Sequence, residues 1–206
     1  MTTDAVVYLV DDDPAVLKSL HWLVESASLA AKPLNSAASF LEAYDPRRPG
    51  CLILDVRMPQ MTGLQLQSLL KERNIELPII IMTGHSDVPT CTESFRNGAF
   101  DFIEKPADDE FLIARVQQAI ATDIERRQQE VHRTEISKRL ATLTPREREV
   151  MDAIVSGKSQ KRIASELGIS FQTAAKHRAK VLTKLQVGND VEVVRALLVN
   201  ETNSAT

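Results

Sequence analysis

Several features are scarce in this sequence of 206 residues, and each absence excludes a class of protein. No apolar run approaches the about 18 residues that a membrane-spanning helix requires. The first ten residues, MTTDAVVYLV, contain no basic residue, so a secretory signal is not expected. The spacing of the only two cysteines, Cys51 and Cys91, suits no metal site, which indicates reduced thiols. We therefore expect a cytoplasmic protein that is not associated with a membrane.

The charge is unevenly distributed along the chain. The net charge is only -3, but residues 1–119 carry 17 acidic and 10 basic side chains, whereas residues 143–189 carry 9 basic and 4 acidic ones. This asymmetry predicts two domains with different partners. The basic segment is the one that a nucleic acid would attract.

Short apolar runs alternate with amphipathic stretches in the acidic part of the chain. The runs lie at 5–10, 29–34, 51–54, 78–82 and 100–103. Helix-like stretches occur near 14–27, 36–44, 63–73, 88–97 and 108–120. Such alternation predicts an α/β fold with a five-stranded, doubly wound parallel sheet of strand order 2-1-3-4-5, with helices on both faces.

Capping residues mark where several helices begin and end. Asp13 precedes Pro14, which predicts an N-cap followed by proline in the first helical turn. The stretch Thr144-Pro145-Arg146-Glu147 has the pattern of a capping box. Gly157 and Gly168 each follow an apolar helical stretch and are expected to end a helix.

The basic part of the chain is predicted to be all α-helical. Residues 108–140 contain neither proline nor glycine, which indicates one long helix that leaves the first domain as a linker. Four further helices are expected near 145–156, 159–167, 171–185 and 190–199. We predict an α/β domain at 1–120, a helical linker at 121–142 and a four-helix domain at 143–206.

Chemically active side chains follow four of the predicted strands. Asp11 and Asp12 follow the first strand, Asp55 the third, Thr83 the fourth, and Lys105 lies just beyond the fifth. Because the carboxyl ends of parallel strands meet at one edge, we expect one site there. Clustered carboxylates suit Mg²⁺, and a lysine and a threonine beside the ion can hold a phosphoryl group. Asp55 is the expected nucleophile, which would form an acyl phosphate.

These motifs resemble those of a response-regulator receiver domain over the whole of residues 5–120. The resemblance is carried by Asp11-Asp12, by LILDVRMPQMTG around Asp55, by IMTGH with Thr83 and by DFIEKP with Lys105, in this order and spacing. It implies that a sensor histidine kinase phosphorylates Asp55.

The resemblance also implies a ligand set and a switch. Mg²⁺ would be held by the side chains of Asp12 and Asp55 and by the backbone carbonyl of Arg57, with Asp11 acting partly through water. Thr83 and Phe102 match the switch pair of the family, and Lys105 matches the residue that binds the phosphoryl group. The Lys105–Pro106 peptide bond matches one that is cis in the family.

Residues 143–199 resemble the LuxR-type helix-turn-helix domain, through LTPREREVMDAIVSGKSQKRIASELGIS, TAAKHR and KLQV. The second helix of the motif, at 171–185, is expected to enter the major groove of DNA. The expected DNA-binding residues are Lys161, Arg162, Gln172, Thr173, Lys176, Arg178 and Lys180. Ala174-Ala175 departs from the usual β-branched residue followed by lysine or glutamate, and Ala175 suits contact with a thymine methyl group.

Both halves together resemble a two-component response regulator of the FixJ/NarL family, and within it the regulators of styrene or toluene catabolism. This implies a double-stranded DNA operator, a homodimer when phosphorylated, and regulation of transcription, by activation. The implied protein is not an enzyme beyond self-catalysed phosphoryl transfer to and from Asp55. The alternative is a haloacid-dehalogenase-like phosphatase, which normally needs a second aspartate where this chain has Arg57.

Overall fold

The structure, a computed structural model, describes residues 4–84 and 88–201. Its contacts divide the chain into two compact units, residues 1–127 and residues 128–206. The domain boundaries at 120 and 142 stay predictions. In the described part of the chain, no helix has both the length and the apolar character that crossing a membrane requires.

The first unit contains a five-stranded parallel sheet of order β2-β1-β3-β4-β5, which confirms the predicted order. The strands are β1 Val6–Val10, β2 Ala30–Leu34, β3 Gly50–Asp55, β4 Ile79–Thr83 and β5 Asp101–Glu104. The helices are α1 Pro14–Ser26, α2 Ala37–Ala43, α3 Gly63–Glu72, α4 Val88–Arg96 and α5 Asp109–Ala141.

Both faces of this sheet are covered by apolar side chains of helices. On one face, the alternate β1 residues Val7 and Leu9 pack with residues of α1 and α5. On the other, Tyr8 packs with residues of α2 and α3, and its ring lies edge-on to that of Phe40 at 5.4 Å between centroids. Burial on both faces explains why the central strands are continuously apolar in sequence.

The second unit is built from helices around one core. After the end of α5 come α6 Pro145–Val155, α7 Gln160–Glu166, α8 Phe171–Leu185 and α9 Asp190–Glu201. The core also includes Ile136 and Leu140 of α5. The last turns of α5 are therefore a packed part of this unit.

The predicted caps are confirmed where the structure describes them. Asp13 accepts a hydrogen bond from the backbone of Ala15 at the start of α1, and Thr144 forms a capping box at the start of α6. Gly157 and Gly168 have φ values of 69° and 63°, in the left-handed region that favours glycine.

Both cysteines are free. Cys51 is buried and Cys91 is half-buried. Burial raises the pKa of the Cys51 thiol, so it stays protonated and unreactive.

Candidate functional site

Asp11, Asp55, Thr83 and Lys105 meet at the carboxyl-terminal edge of the sheet. Asp11 directly follows β1, Asp55 and Thr83 are the last residues of β3 and β4, and Lys105 directly follows β5. The strands that carry them are hydrogen-bonded neighbours in the order β1-β3-β4-β5. The exposed fractions of Asp11, Asp55 and Thr83 are only 3%, 8% and 1%. The edge therefore concentrates polar groups in a partly desolvated site.

The ammonium group of Lys105 bridges two buried carboxylates. Its Nζ donates to Oδ2 of Asp11 at 2.5 Å and to Oδ1 of Asp55 at 2.6 Å. Two carboxylates so close together would repel each other, and one ammonium between them offsets that repulsion. The backbone N–H of Lys105 donates to the carbonyl of Thr83 at 2.8 Å. The Lys105–Pro106 peptide is cis, as the family resemblance implies.

Burial and the oppositely charged neighbours have opposing effects on the pKa of Asp55 and on the pKa of Lys105. Burial raises the pKa of Asp55, and the hydrogen bond and charge of Lys105 offset that rise only in part. Burial acts to lower the pKa of Lys105, but the hydrogen bonds and charges of Asp11 and Asp55 outweigh it, so the pKa of Lys105 is raised. Lys105 is therefore cationic at neutral pH, and Asp55 is more basic than an exposed carboxylate.

The three adjacent aspartates after β1 have three different environments. Asp11 is buried, and its Oδ1 accepts the backbone N–H of Asp13 at 2.9 Å while its Oδ2 binds Lys105. Asp13 caps α1 by accepting the N–H of Ala15 at 2.8 Å. Asp12 is exposed, and within the described residues its carboxylate has no hydrogen-bond or ion-pair partner. Asp12 is the carboxylate of this loop that is available to a further ligand.

The backbone after β3 orients Asp55. The Oδ2 atom of Asp55 accepts the N–H of Arg57 at 2.6 Å, so one carboxylate oxygen faces the loop and the other faces Lys105. A Cβ on Gly63 would lie 2.1 Å from the carbonyl oxygen of Asp55, so no larger residue fits. The resemblance implies a role for the Arg57 carbonyl but none for its N–H or for Gly63, although both residues lie in the LILDVRMPQMTG motif.

Thr83 and Phe102 lie on the same face of the sheet. Ile81 pairs with Phe102 and Thr83 pairs with Glu104, and strand residues two apart point to the same side. Phe102 is half-buried and packs against the core on the α2 and α3 side. A movement of the Thr83 side chain would thus change the space available beside Phe102.

The donor chemistry of this edge suits a hard divalent cation. Carboxylate oxygens of Asp11, Asp12 and Asp55 and the carbonyl of Arg57 belong to the oxygen class that Mg²⁺ prefers, and Mg²⁺ retains several waters. In the described ranges, 4–84 and 88–201, no group of three or more His, Cys, Asp or Glu side chains is arranged to hold a metal ion. The residue types fit the ion, while Lys105 neutralises the two buried carboxylates.

A second polar surface lies on the helix-turn-helix pair, α7 and α8. Ala174, Val181 and Leu185 of α8 are buried in the core of the unit. Gln172, Lys176 and Lys180, each four residues from the next, share the exposed face of α8, and Thr173 at its edge is half-buried. Lys161 and Arg162 of α7 are exposed as well.

Both arginines predicted to bind DNA have partners within the protein. Arg178 is half-buried and pairs with Asp190 of α9, with 2.9 Å between Nη2 and Oδ1. Arg162 is exposed but donates to Glu166 within α7 at 2.9 Å. Arg178 therefore lies on the side of α8 that faces α9, away from the exposed face that carries Lys176.

Comparisons with known proteins identify a family for each of the two parts of the chain. Residues 7–117 match the family described as response regulator receiver domain, and residues 141–197 match the bacterial regulatory proteins of the luxR family. The chain belongs to the response-regulator family, with a receiver domain followed by a LuxR-type DNA-binding domain. The receiver domain implies a histidine kinase as partner, and the LuxR-type domain implies DNA binding.

Within the family, the chain is similar to transcriptional regulators rather than to enzymes. It is 44% identical to the transcriptional regulatory protein FixJ of Azorhizobium caulinodans, over 93% of this chain and 91% of that protein. It is 37% identical to the response regulator protein TodT of Pseudomonas putida, over 93% and 84% of the two chains.

Solved structures with both domains agree with this assignment. The structure of the response regulator StyR matches with a TM-score of 0.85 and 33% identity, over 95% of this chain and 99% of that one. Full-length FixJ from B. japonicum matches with a TM-score of 0.60 and 39% identity, over 96% and 98% of the two chains.

Proposed function

We propose that Asp55 is the phosphoacceptor of this response regulator and that its phosphorylation by a sensor histidine kinase controls binding to a double-stranded DNA operator. The observation that carries this proposal is the contact of Lys105 Nζ with Asp55 at 2.6 Å and Asp11 at 2.5 Å at the buried edge of the sheet. This arrangement holds a basic carboxylate beside a fixed positive charge, as phosphoryl transfer requires.

In the proposed reaction, an oxygen of Asp55 attacks the phosphorus of the phosphodonor. A bond forms between that oxygen and phosphorus, the bond from phosphorus to the donor's leaving group breaks, and the leaving group keeps the electron pair. Lys105 is close enough to Asp55 to donate to the transferred phosphoryl group, which carries added negative charge. The Arg57 N–H holds the other Asp55 oxygen in place.

The proposed cofactor is Mg²⁺. Asp12 and Asp55, with Asp11 through water and the carbonyl of Arg57, would hold the ion, and the exposed carboxylate of Asp12 supports this assignment. When bound, Mg²⁺ supplies positive charge that neutralises the phosphoryl oxygens.

Thr83 and Phe102 are the proposed switch. The hydroxyl of Thr83 would move to the phosphoryl group, and Phe102, on the same sheet face, would turn into the space that it leaves. This changes the surface of α4, β5 and α5. Phe95 of α4 and Phe111 of α5 are exposed there, which supports the proposal that the phosphorylated form is a homodimer through this receiver surface.

The proposed DNA interface is the exposed side of α7 and α8. Its members are Lys161, Arg162, Gln172, Thr173, Lys176 and Lys180, with Arg178 acting through its pair with Asp190, which positions α8. A dimer would present two such helices to a two-fold operator. The regulator would act where the chromosome lies, in the cytoplasm, and the proposed effect on transcription is activation.

The test is intact mass after incubation with acetyl phosphate and Mg²⁺. We expect the wild type to gain one phosphoryl group and Asp55→Asn to gain none. Asp13→Asn is the matched control, because asparagine caps a helix as well as aspartate does and Asp13 is not part of the Lys105 bridge. A phosphorylated Asp55→Asn variant, or an unmodified wild type, would refute the assignment.

A further inference from the structure

Phe171 is a large apolar residue at the tip of the proposed DNA-binding helix, with 57% of its surface exposed. Over residues 159–185, a stretch that the structure describes completely, it is the only exposed large hydrophobic side chain. It is the first residue of α8, directly after the N-cap Ser170. Neither the core of the unit nor the proposed polar contacts account for this side chain.

The backbone at Phe171 is held by both helices of the motif. Ser170 accepts the N–H of Thr173 at 3.1 Å, which fixes the first turn of α8. The side chain of Gln160, in the first turn of α7, donates to the carbonyl of Phe171 at 3.3 Å. The ring therefore starts from a defined point at the junction of α7 and α8.

Phe171 and Ala175 form an apolar edge beside the cationic face of α8. They are four residues apart, so they lie one above the other on the helix. Gln172 follows Phe171 and Lys176 follows Ala175, and these two polar residues lie on the exposed face of α8. An apolar strip next to donors and cations matches what the major groove presents at an A·T pair, since thymine exposes a methyl group beside hydrogen-bonding atoms.

We infer that Phe171, together with Ala175, contacts the 5-methyl group of a thymine in the operator. This contact makes Phe171 a specificity-determining residue. The inference rests on the proposed DNA-binding function and names the base feature that this end of α8 recognises. DNA is favoured over a protein as the partner that contacts Phe171, because no second large apolar side chain of α7 or α8 is exposed beside it.

The experiment uses the full chain with beryllofluoride and Mg²⁺ as a phosphoryl mimic. An operator is first selected from a random pool of DNA duplexes. Each thymine of the selected duplex is then replaced by uracil, which removes only the methyl group. We expect at least one replacement per half-site to lower affinity about fourfold, the effect of removing one buried methyl group from a contact.

Two variants assign the effect to its residue. Phe171→Ala should bind the thymine duplex more weakly and should no longer distinguish thymine from uracil at that position. Gln172→Ala, the matched control on the neighbouring exposed position, should bind more weakly but keep the uracil effect. Circular dichroism checks that both variants keep the wild-type helix content.

Three outcomes would overturn the inference. The first is a wild type that binds all uracil duplexes equally well, and the second is a Phe171→Ala variant that keeps the uracil effect. If Phe171→Ala keeps both affinity and the uracil effect, the ring is instead free for a protein partner. The third is the absence of any enriched sequence from the pool, which would refute the proposed DNA-binding function and the inference with it.

Discussion

We predict that Asp123→Asn destabilises residues 1–127 much more than Glu76→Gln, although both variants remove a carboxylate from Arg126. Asp123 lies on α5, and its exposed fraction is 0%. Its carboxylate accepts the Gly50 N–H at 3.0 Å, Arg126 at 2.6 Å and Arg127 at 2.6 Å. Among the described residues, Glu76 accepts only from Arg126, at 3.0 Å, and Glu76 is largely exposed.

The difference in burial sets the expected magnitudes. Removing one partner of a buried ion pair costs about 3–5 kcal/mol, because the remaining charges stay desolvated. Arg126 and Arg127 are partly exposed, so we expect the lower end for Asp123→Asn, about 3 kcal/mol. The amide NH₂ of asparagine would also face donors that need an acceptor. An exposed pair contributes about 0–1 kcal/mol, which is the expectation for Glu76→Gln.

Urea unfolding followed by Trp22 fluorescence measures this difference. Trp22 is the only tryptophan of the chain and lies on α1, in the same unit as Asp123, so its signal reports on residues 1–127. With an m value of about 1–3 kcal/mol/M, the Asp123→Asn midpoint should fall by about 1–3 M. Equal midpoints for the two variants would refute the argument that burial makes the Asp123 carboxylate stabilising.

Three further predictions concern the switch and the second unit. Phosphorylation should raise the operator affinity of the wild type by about 5–150-fold. Thr83→Ala should still accept phosphate on Asp55 but lose most of this gain. DNA titrations with and without beryllofluoride measure the gain of each protein, and equal gains for wild type and variant would contradict the prediction. The Lys184 hydrogen bond holds the pKa of Glu147 at about 2, below the ordinary 4.5, so its stabilisation is complete above pH 4.5 and is lost as pH falls towards 2. Glu147→Gln should therefore lower the stability of the second unit by up to about 1 kcal/mol at pH 6 and by little near pH 2. Thermal unfolding measures both costs, and an equal cost at the two pH values would exclude a stabilising role for the charge pair. For DNA binding, Lys176→Ala should reduce the slope of log K against log salt concentration by up to about 0.9. Arg178→Ala should mainly lower the stability of the second unit. The reverse pattern would place Arg178 on the DNA.

Much of the architecture is predictable from local patterns. Apolar runs that end in Asp11, Asp55 and Thr83 indicate parallel strands whose carboxyl ends form one site, and the sheet order agrees. Residues such as Asp13 and Thr144 satisfy backbone groups within three residues of themselves, so their capping roles follow from the neighbouring sequence alone. These features are local, and local chemistry is what a sequence pattern contains.

Contacts between distant residues were decided only by the tertiary structure. Periodicity identifies α8 as amphipathic, but it does not specify that Arg178 faces Asp190 of α9 while Lys176 faces outward. Charge counts gave no sign that Asp123 would be buried against Gly50. Lys105 and Asp11 are 94 residues apart, and their contact depends on how four strands align. A polar side chain's partner is set by the packing of whole elements, because burial brings together groups that the sequence keeps apart.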